Sequence, residues 1–425
     1  MYRAATWTVA ALLAVLLLAL VFTLGYASNG GDGGGPSQQT AGDLPGGGDS
    51  DVDFRVLNQI LEILKRDYFD QEKLEDQALY EAAIQGIVDS LSDTGTFYID
   101  PDTFRLSVGP SGSFEGIGAT VQDVNDQIVI VRPFEGSPAE ADGIESGDVI
   151  LTVNGEPTDG WSVEKAVLKI RGPKGTDVTL KIRHLDGAEE ELTIVRDEIQ
   201  VASVTDTPPG GVLRDTNGNE VTDLAYVRIA EFNQRTPQEV EPLVREAEES
   251  GMRGLILDLR VNPGGLLKET VDTTDLFLDE GVILTEVDRF DQQTVHRAHA
   301  GGAALEIPIV VLLDESSASG AEVLAAALKD NGRAVIIGEK SHGKGTVNIE
   351  RDLADGGALF VTIRKWLTPA GVQIDGVGIT PDVEVIPGPF DSGYDALEDS
   401  QIFRAIDHLH GLQAGEEAVP SSATP

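Results

Sequence analysis

Apolar and polar positions change period several times along the 425 residues, and each change marks a section of the chain. Ala4 to Gly31 carries no charge, and Val9 to Leu24 is almost wholly apolar. A run of about 20 such residues spans a bilayer core. Arg3 before it and Asp32 after it orient the remainder outward. Residues 1–31 are therefore expected to be a single-pass membrane anchor, with the body of the chain outside the cytoplasm. Gly25-Tyr26-Ala27 would also suit cleavage, in which case the body is secreted. Residues 32–53 are Gly-rich and read as a flexible linker. Across 54–111, Val56, Ile60, Leu61 and Leu64, then Leu79, Ala82, Ile84, Ile87 and Leu91, recur at helical spacing. Two amphipathic helices follow, packed on each other or available for assembly into a homo-oligomer.

From 112 to 199 the period shortens to that of strands: Ala119-Thr120-Val121, Ile128 to Val131, Val149 to Val153 and Val178 to Ile182, with a helix over Ser162 to Ile170. Pro208 to Gly211 breaks the chain near the start of the next section, 200–390. There, apolar runs at Leu224–Ile229, Gly254–Leu259, Ile307–Leu313 and Ala334–Ile337 alternate with helical patterns at Pro237–Glu249, Leu266–Leu278 and Glu322–Lys329. Continuous apolar runs separated by helices predict strands buried on both faces of an α/β layer. A further strand is expected over Ala358–Arg364. Residues 391–425 read as one helix, Leu397–Leu409, and a disordered tail.

The formal net charge of −41 argues against nucleic acid as a partner, because phosphate binding needs clustered Lys and Arg. With no cysteine, disulfides and thiol catalysis are excluded. Six histidines form no HExxH or comparable cluster, so neither a metal nor another cofactor is expected.

The chemistry concentrates in Ile307 to Asn348. Ser319 stands where a helix begins, and Lys344 follows 25 residues later between Gly343 and Gly345. Upstream, a buried strand runs into Asn262-Pro263-Gly264-Gly265, whose glycines free backbone N–H groups to face a ligand. A serine hydroxyl needs a base to become a nucleophile, and a lysine serves once desolvation lowers its pKa. The developing oxyanion needs fixed N–H donors, which a Gly-Gly turn and the amide after the serine supply. No G-x-S-x-G elbow is present. The plain alternative is a serine capping a helix and a lysine on a solvated loop.

Two resemblances decide between them. Ser137 to Gly155, SPAEADGIESGDVILTVNG, resembles a PDZ domain, which implies binding of C-terminal peptides by strand addition, with the carboxylate received by the loop Glu115-Gly116-Ile117-Gly118. The order of that module, LDLRVNPGGLL, SSASGAE, SHGKGTVN and TPAGVQIDGVGITPDVEV is similar to the carboxyl-terminal processing, or tail-specific, proteases over roughly Val56 to Val385. The resemblance implies a mixed α/β and β fold: a ClpP/crotonase-like protease core with an inserted PDZ domain and an N-terminal helical section. It also implies a serine endopeptidase acting on proteins with exposed C-terminal tails. Ser319 would be the nucleophile, Lys344 the general base, and Gly320 with Gly264-Gly265 the oxyanion donors. Ser316 and Ser317 would serve helix entry and packing, and Glu322 the helix N-terminus. Two positions depart from the family pattern. Asn348 stands where a Gln usually holds the lysine amine, and His342 where an aromatic usually precedes the GKG glycine; a histidine there could act as a second base. They leave open a non-catalytic, peptide-binding scaffold that keeps the fold.

Overall fold

The computed structural model describes residues 55–93, 95–106, 112–124, 127–134, 136–386 and 399–412. The expected anchor (1–31), the linker (32–53) and the tail beyond residue 412 lie outside these. Among the described residues no helix is long and apolar enough to cross a membrane.

The N-terminal section contains helices α1 (Arg55–Asp67) and α2 (Asp76–Asp89), strand β1 (Phe97–Ile99) and helix α3 (Pro101–Leu106). The α1 sequence is amphipathic yet buries no residue, so its apolar stripe does not enter a core. A two-stranded ribbon, β2 (Ser113–Gly116) with β9 (Asp197–Gln200), brackets the next module. Inside it lie β3 (Ala119–Val124), β4 (Gln127–Pro133), α4 (Pro138–Ala141), β5 (Val149–Val153), β6 (Glu156–Pro157), α5 (Val163–Ile170), β7 (Asp177–Arg183) and β8 (Glu189–Val195). The sheet runs β3-β4-β5-β7-β8 and is antiparallel. Strand alternation sends Ile128, Ile130, Val178, Leu180 and Ile182 inward to meet Ala166 and Ile170 of α5. Ser162 caps α5, accepting from Lys165 N.

The remaining residues form a larger body around two sheets. In the first, β10 (Val204–Thr205), β11 (Leu224–Ile229), β12 (Gly254–Asp258), β15 (Ile309–Leu313), β16 (Ala334–Gly338) and β19 (Val383–Glu384) lie side by side, with β11 to β19 parallel. Both faces are covered, which is why these runs are continuously apolar. Leu255, Leu257, Val311 and Leu313 face helices α6 (Thr236–Glu249), α7 (Leu267–Asp275) and α8 (Gly320–Asp330). Ile256, Val310, Leu312 and Ile337 face Ile402, Ala405, Ile406 and Leu409 of α9 (Ser400–Gly411). The second sheet contains β13 (Val282–Asp288), β14 (Gln293–Arg297), β17 (Thr346–Asp352) and β18 (Ala358–Leu367), and β1 joins it beside β18. Its Val347 and Trp366 enter the same core as α8. The strand expected to stop at Arg364 runs on to Leu367, because Trp366 is buried and pairs with Glu286.

Candidate active site

Parallel strands that end at one edge of a sheet deliver their loops to a common crevice. Here β12 delivers the turn Asn262 to Gly265, β15 delivers Asp314 to Ser319, and β16 delivers the loop with Ser341 to Gly345.

Ser319 precedes the first residue of α8 and is fully buried. Its backbone adopts φ 53 and ψ −112, a conformation uncommon for a side-chain-bearing residue. This is the kind of sharp strand-to-helix turn that presents a nucleophile, reached here without the G-x-S-x-G pattern. The small residues Ala318, Gly320 and Ala321 around it, all buried, allow the turn. Ser319 Oγ makes no hydrogen bond among the described residues, although Ser319 and Glu322 stand at the two positions of a capping box. Its backbone N–H is held instead, donating to Glu322 Oε2 at 2.7 Å.

Glu322 organises the site. Oε2 accepts from the amides of Ser319 (2.7 Å) and Lys344 (2.9 Å); Oε1 accepts from Gly343 N (2.7 Å) and Ser341 Oγ (2.6 Å). One carboxylate oxygen thus ties the backbone of the serine to that of the lysine. Burial pushes the Glu322 carboxyl above its usual range, and these four donors pull against that displacement. All four contacts donate toward it, a pattern that suits an ionised acceptor.

Lys344 is 9% exposed and makes no ion pair among the described residues. Desolvation pulls its amine down from 10.5 to about 8, against the opposing charges of Glu322 and Asp93. The amine lies 5.8 Å from the centre of the Phe97 ring, and Trp366 Nε1 donates to the Lys344 carbonyl. The lysine is therefore a buried side chain, not part of a solvated loop.

The Gly-Gly turn lies against the serine. A Cβ added to Gly264 would come within 2.7 Å of both Ser319 Cβ and Gly320 N; one on Gly265 would meet the Phe232 carbonyl at 2.1 Å. Gly264 N donates to Asn262 Oδ1 (2.7 Å), whereas the N–H groups of Gly265 and Gly320 have no acceptor among the described residues. Those two N–H groups are therefore free to meet an acceptor beside Ser319. A methyl at Gly320 would lie 2.6 Å from Thr270 Oγ1, which explains glycine at this helix start. Asn262 anchors the turn through Nδ2 to the Ile229 carbonyl, and its own carbonyl accepts from Ala318 N. Asp314 links the two loops: it accepts from Val261 N, Ser316 N and Ser317 Oγ. The Ser317 hydroxyl is thereby occupied structurally, as is the backbone N–H of Ser316. Val261, a β-branched residue at φ 57, is held in that conformation by the Asp314 carboxylate.

Asn348 is buried beside the lysine loop, but its amide is engaged elsewhere. Nδ2 donates to the Gly95 carbonyl, and Oδ1 accepts from Thr362 Oγ1 at 3.4 Å. His342 has an exposed side chain, while its backbone N–H donates to the Ser317 carbonyl at 3.0 Å. In the PDZ-like module, Ile117 and Gly118 line a groove of about 250 Å³ between β3 and α5, with Val121, Val163, Val167 and Ile170. Glu115 and Gly116 pair with Glu198 and Asp197 in the ribbon and do not line it. Asn262, Asp314 and Asp93 were not singled out from the sequence; Asn262 alone had a signal there, its place in the Asn-Pro-Gly-Gly turn.

The Peptidase family S41 profile matches residues 223–385, and the PDZ domain profile matches residues 106–183. The chain is 36% identical over 336 residues to the carboxy-terminal processing protease CtpA of Bacillus subtilis (strain 168), covering 79% of this chain and 69% of that protein. It is 36% identical over 338 residues to a probable CtpA-like serine protease of Staphylococcus aureus (strain MSSA476), covering 79% of this chain and 65% of that protein. Among solved structures, the photosystem II D1 C-terminal processing protease aligns at TM-score 0.46 and 26% identity, covering 82% of this chain and 98% of that one. The chain belongs to peptidase family S41 and is a serine-type peptidase with a PDZ domain.

Proposed function

We propose that this peptidase cuts extracytoplasmic proteins near their C-termini with Ser319 as nucleophile and Lys344 as general base. The observation that carries the reading is the shared Glu322 carboxylate, which binds the backbone of both residues beside a serine hydroxyl left unpaired. Neutral Lys344 takes the Ser319 proton as Oγ attacks the scissile carbonyl. The tetrahedral oxyanion receives the N–H groups of Gly265 and Gly320. The ammonium then protonates the leaving amine, and the regenerated amine activates water to release the acyl group. With a pKa of about 8, roughly one lysine in ten is neutral at pH 7, against about one in three thousand at 10.5.

The groove of the PDZ domain supports capture of apolar C-terminal residues by strand addition along β3. The apolar stretch of residues 4–31 supports a membrane-anchored enzyme whose catalytic part lies outside the cytoplasm. Degradation of an unfolded protein with an apolar tail, read by mass spectrometry, tests the mechanism. Ser319→Ala and Lys344→Ala are each expected to stop cleavage without loss of fold; full activity in either refutes the mechanism, and no cleavage by the wild type favours a scaffold. Removal of residues 116–195 tests the PDZ role, and an unchanged rate on the tailed substrate excludes recruitment or gating.

A further inference from the structure

The lysine pocket has a wall that comes from outside the strand–helix core. The chain leaving α2 passes over the start of β17 before entering β1, and it carries Asp93, Gly95, Thr96 and Phe97. Its fit there is close. A Cβ on Gly95 would lie 2.3 Å from Thr362 Oγ1, 2.5 Å from Thr346 Oγ1 and 3.1 Å from Asn348 Oδ1. Asn348 donates to the Gly95 carbonyl, and Thr362 N donates to Thr96 Oγ1 at 3.0 Å. Phe97 stacks on Phe360 of β18, ring centres 4.8 Å apart, and also faces the Lys344 amine.

Within this segment Asp93 is fixed by its own neighbours. Oδ2 accepts from Thr96 Oγ1 at 2.5 Å, and Oδ1 accepts from Gly95 N at 3.0 Å. Burial pushes its carboxyl up, but the bonds from Thr96, Gly95 and Thr362 and the charge of Lys365 leave it below the usual range. It is anionic at neutral pH. The charged groups acting on Lys344 are then Glu322 from α8 and Asp93 from this segment, and Lys365 of β18 acts on Asp93. Both Glu322 oxygens are already engaged by four donors.

Resting on the Ser–Lys reading, we infer that Asp93 is a positioning residue for Lys344, and that Asn348 serves the base indirectly by tethering the segment that carries it. An amide one methylene shorter than glutamine is used to hold Gly95 in place. The held segment then presents the Phe97 ring to the amine and carries a carboxylate whose charge acts on it. The N-terminal section thereby completes the active site.

The test is the pH dependence of kcat on a peptide with an apolar C-terminus, for wild type, Asp93→Asn, Asp93→Glu and Asn348→Ala. Loss of the anion favours the neutral amine, so the acid limb in Asp93→Asn should move down by roughly 0.5–1 pH unit. The plateau should fall with KM unchanged, and Asp93→Glu should return the limb toward wild type. A lower rate with an unmoved limb, or a limb that moves up, overturns the inference. If Asp93→Asn does not fold, Asn348→Ala carries the test by releasing Gly95 and the segment that holds Asp93: a downward shift supports the inference, and an unmoved limb overturns it. Lys344→Ala separates the two readings. Activity in that variant refutes the lysine base itself, whereas an inactive Lys344→Ala beside an unmoved Asp93→Asn limb refutes only the role of Asp93.

Discussion

Replacing Lys344 with Met should abolish activity and make the protein more stable, and the size of the gain should depend on pH. The amine rests in a site that lowers its pKa from 10.5 to about 8. That gap corresponds to about 3 kcal/mol by which the folded state disfavours the ammonium, after the help of Glu322 and Asp93 is counted. The unfolded chain returns the lysine to about 10.5, so between about 8 and 10.5 it binds more protons than the folded chain. Wild-type stability therefore rises with pH through that window, and the penalty is fullest below about 8. Methionine fills similar space without a charge. Its advantage over wild type should be about 3 kcal/mol near pH 7 and about 1 kcal/mol near pH 10. Equilibrium urea unfolding of both proteins at the two pH values measures it. A gain independent of pH would assign the effect to packing. A loss of stability near pH 7 would refute the desolvated lysine on which the base reading depends.

Three further outcomes follow from the same geometry. Gly264→Ala should lower kcat by about 10²-fold or more, because its methyl would press on Ser319 Cβ and Gly320 N while the rest of the sheet is untouched; steady-state kinetics with a thermal melt checks this. Glu322→Gln sets an NH2 group against N–H donors, and should cost roughly 2–4 kcal/mol and most of the activity, read by unfolding and by labelling of Ser319 with a fluorophosphonate. Asp399→Asn removes one carboxylate from the buried Arg260, which also pairs with Asp258 just before the Gly-Gly turn; a loss of roughly 3 kcal/mol is expected by urea unfolding.

The parallel sheet was legible because its strands are buried on both faces and alternate with helices, a pattern that survives any detail of packing. The runs at Gly254–Leu259 and Ile309–Leu313 announce themselves. The hairpin of β13 and β14 did not, since Gln293 to Arg297 is polar and largely exposed and offers no period-2 signal. Ser319 and Lys344 were readable as candidates because glycines and an ordered set of motifs surround them. The strained backbone of Ser319 was not, since φ 53 at a serine is imposed by how α8 meets β15 and by the Gly-Gly turn packed against it.

The roles of Asn348 and Asp93 show why local pattern cannot supply the rest. Asn348 sits four residues after the lysine, where the family resemblance implies an amide that holds the amine; the amide goes instead to a carbonyl 253 positions away in sequence. That bond exists because β1 adds to the edge of β18, with Phe97 opposite Phe360, and this register draws Gly95 onto β17. Asp93 reaches the lysine pocket by the same register. In the sequence it is one of 72 acidic residues in a strongly acidic chain, and nothing adjacent to it distinguishes it. A buried amine needs its counter-charges fixed more than it needs them close in sequence. On the proposed reading the fold meets that need twice, with Glu322 on the helix that follows Ser319 and with Asp93 on the segment that leads into β1. If both are required, Glu322→Gln and Asp93→Asn should be more damaging together than the product of their separate effects, because each variant leaves the ammonium dependent on the other anion.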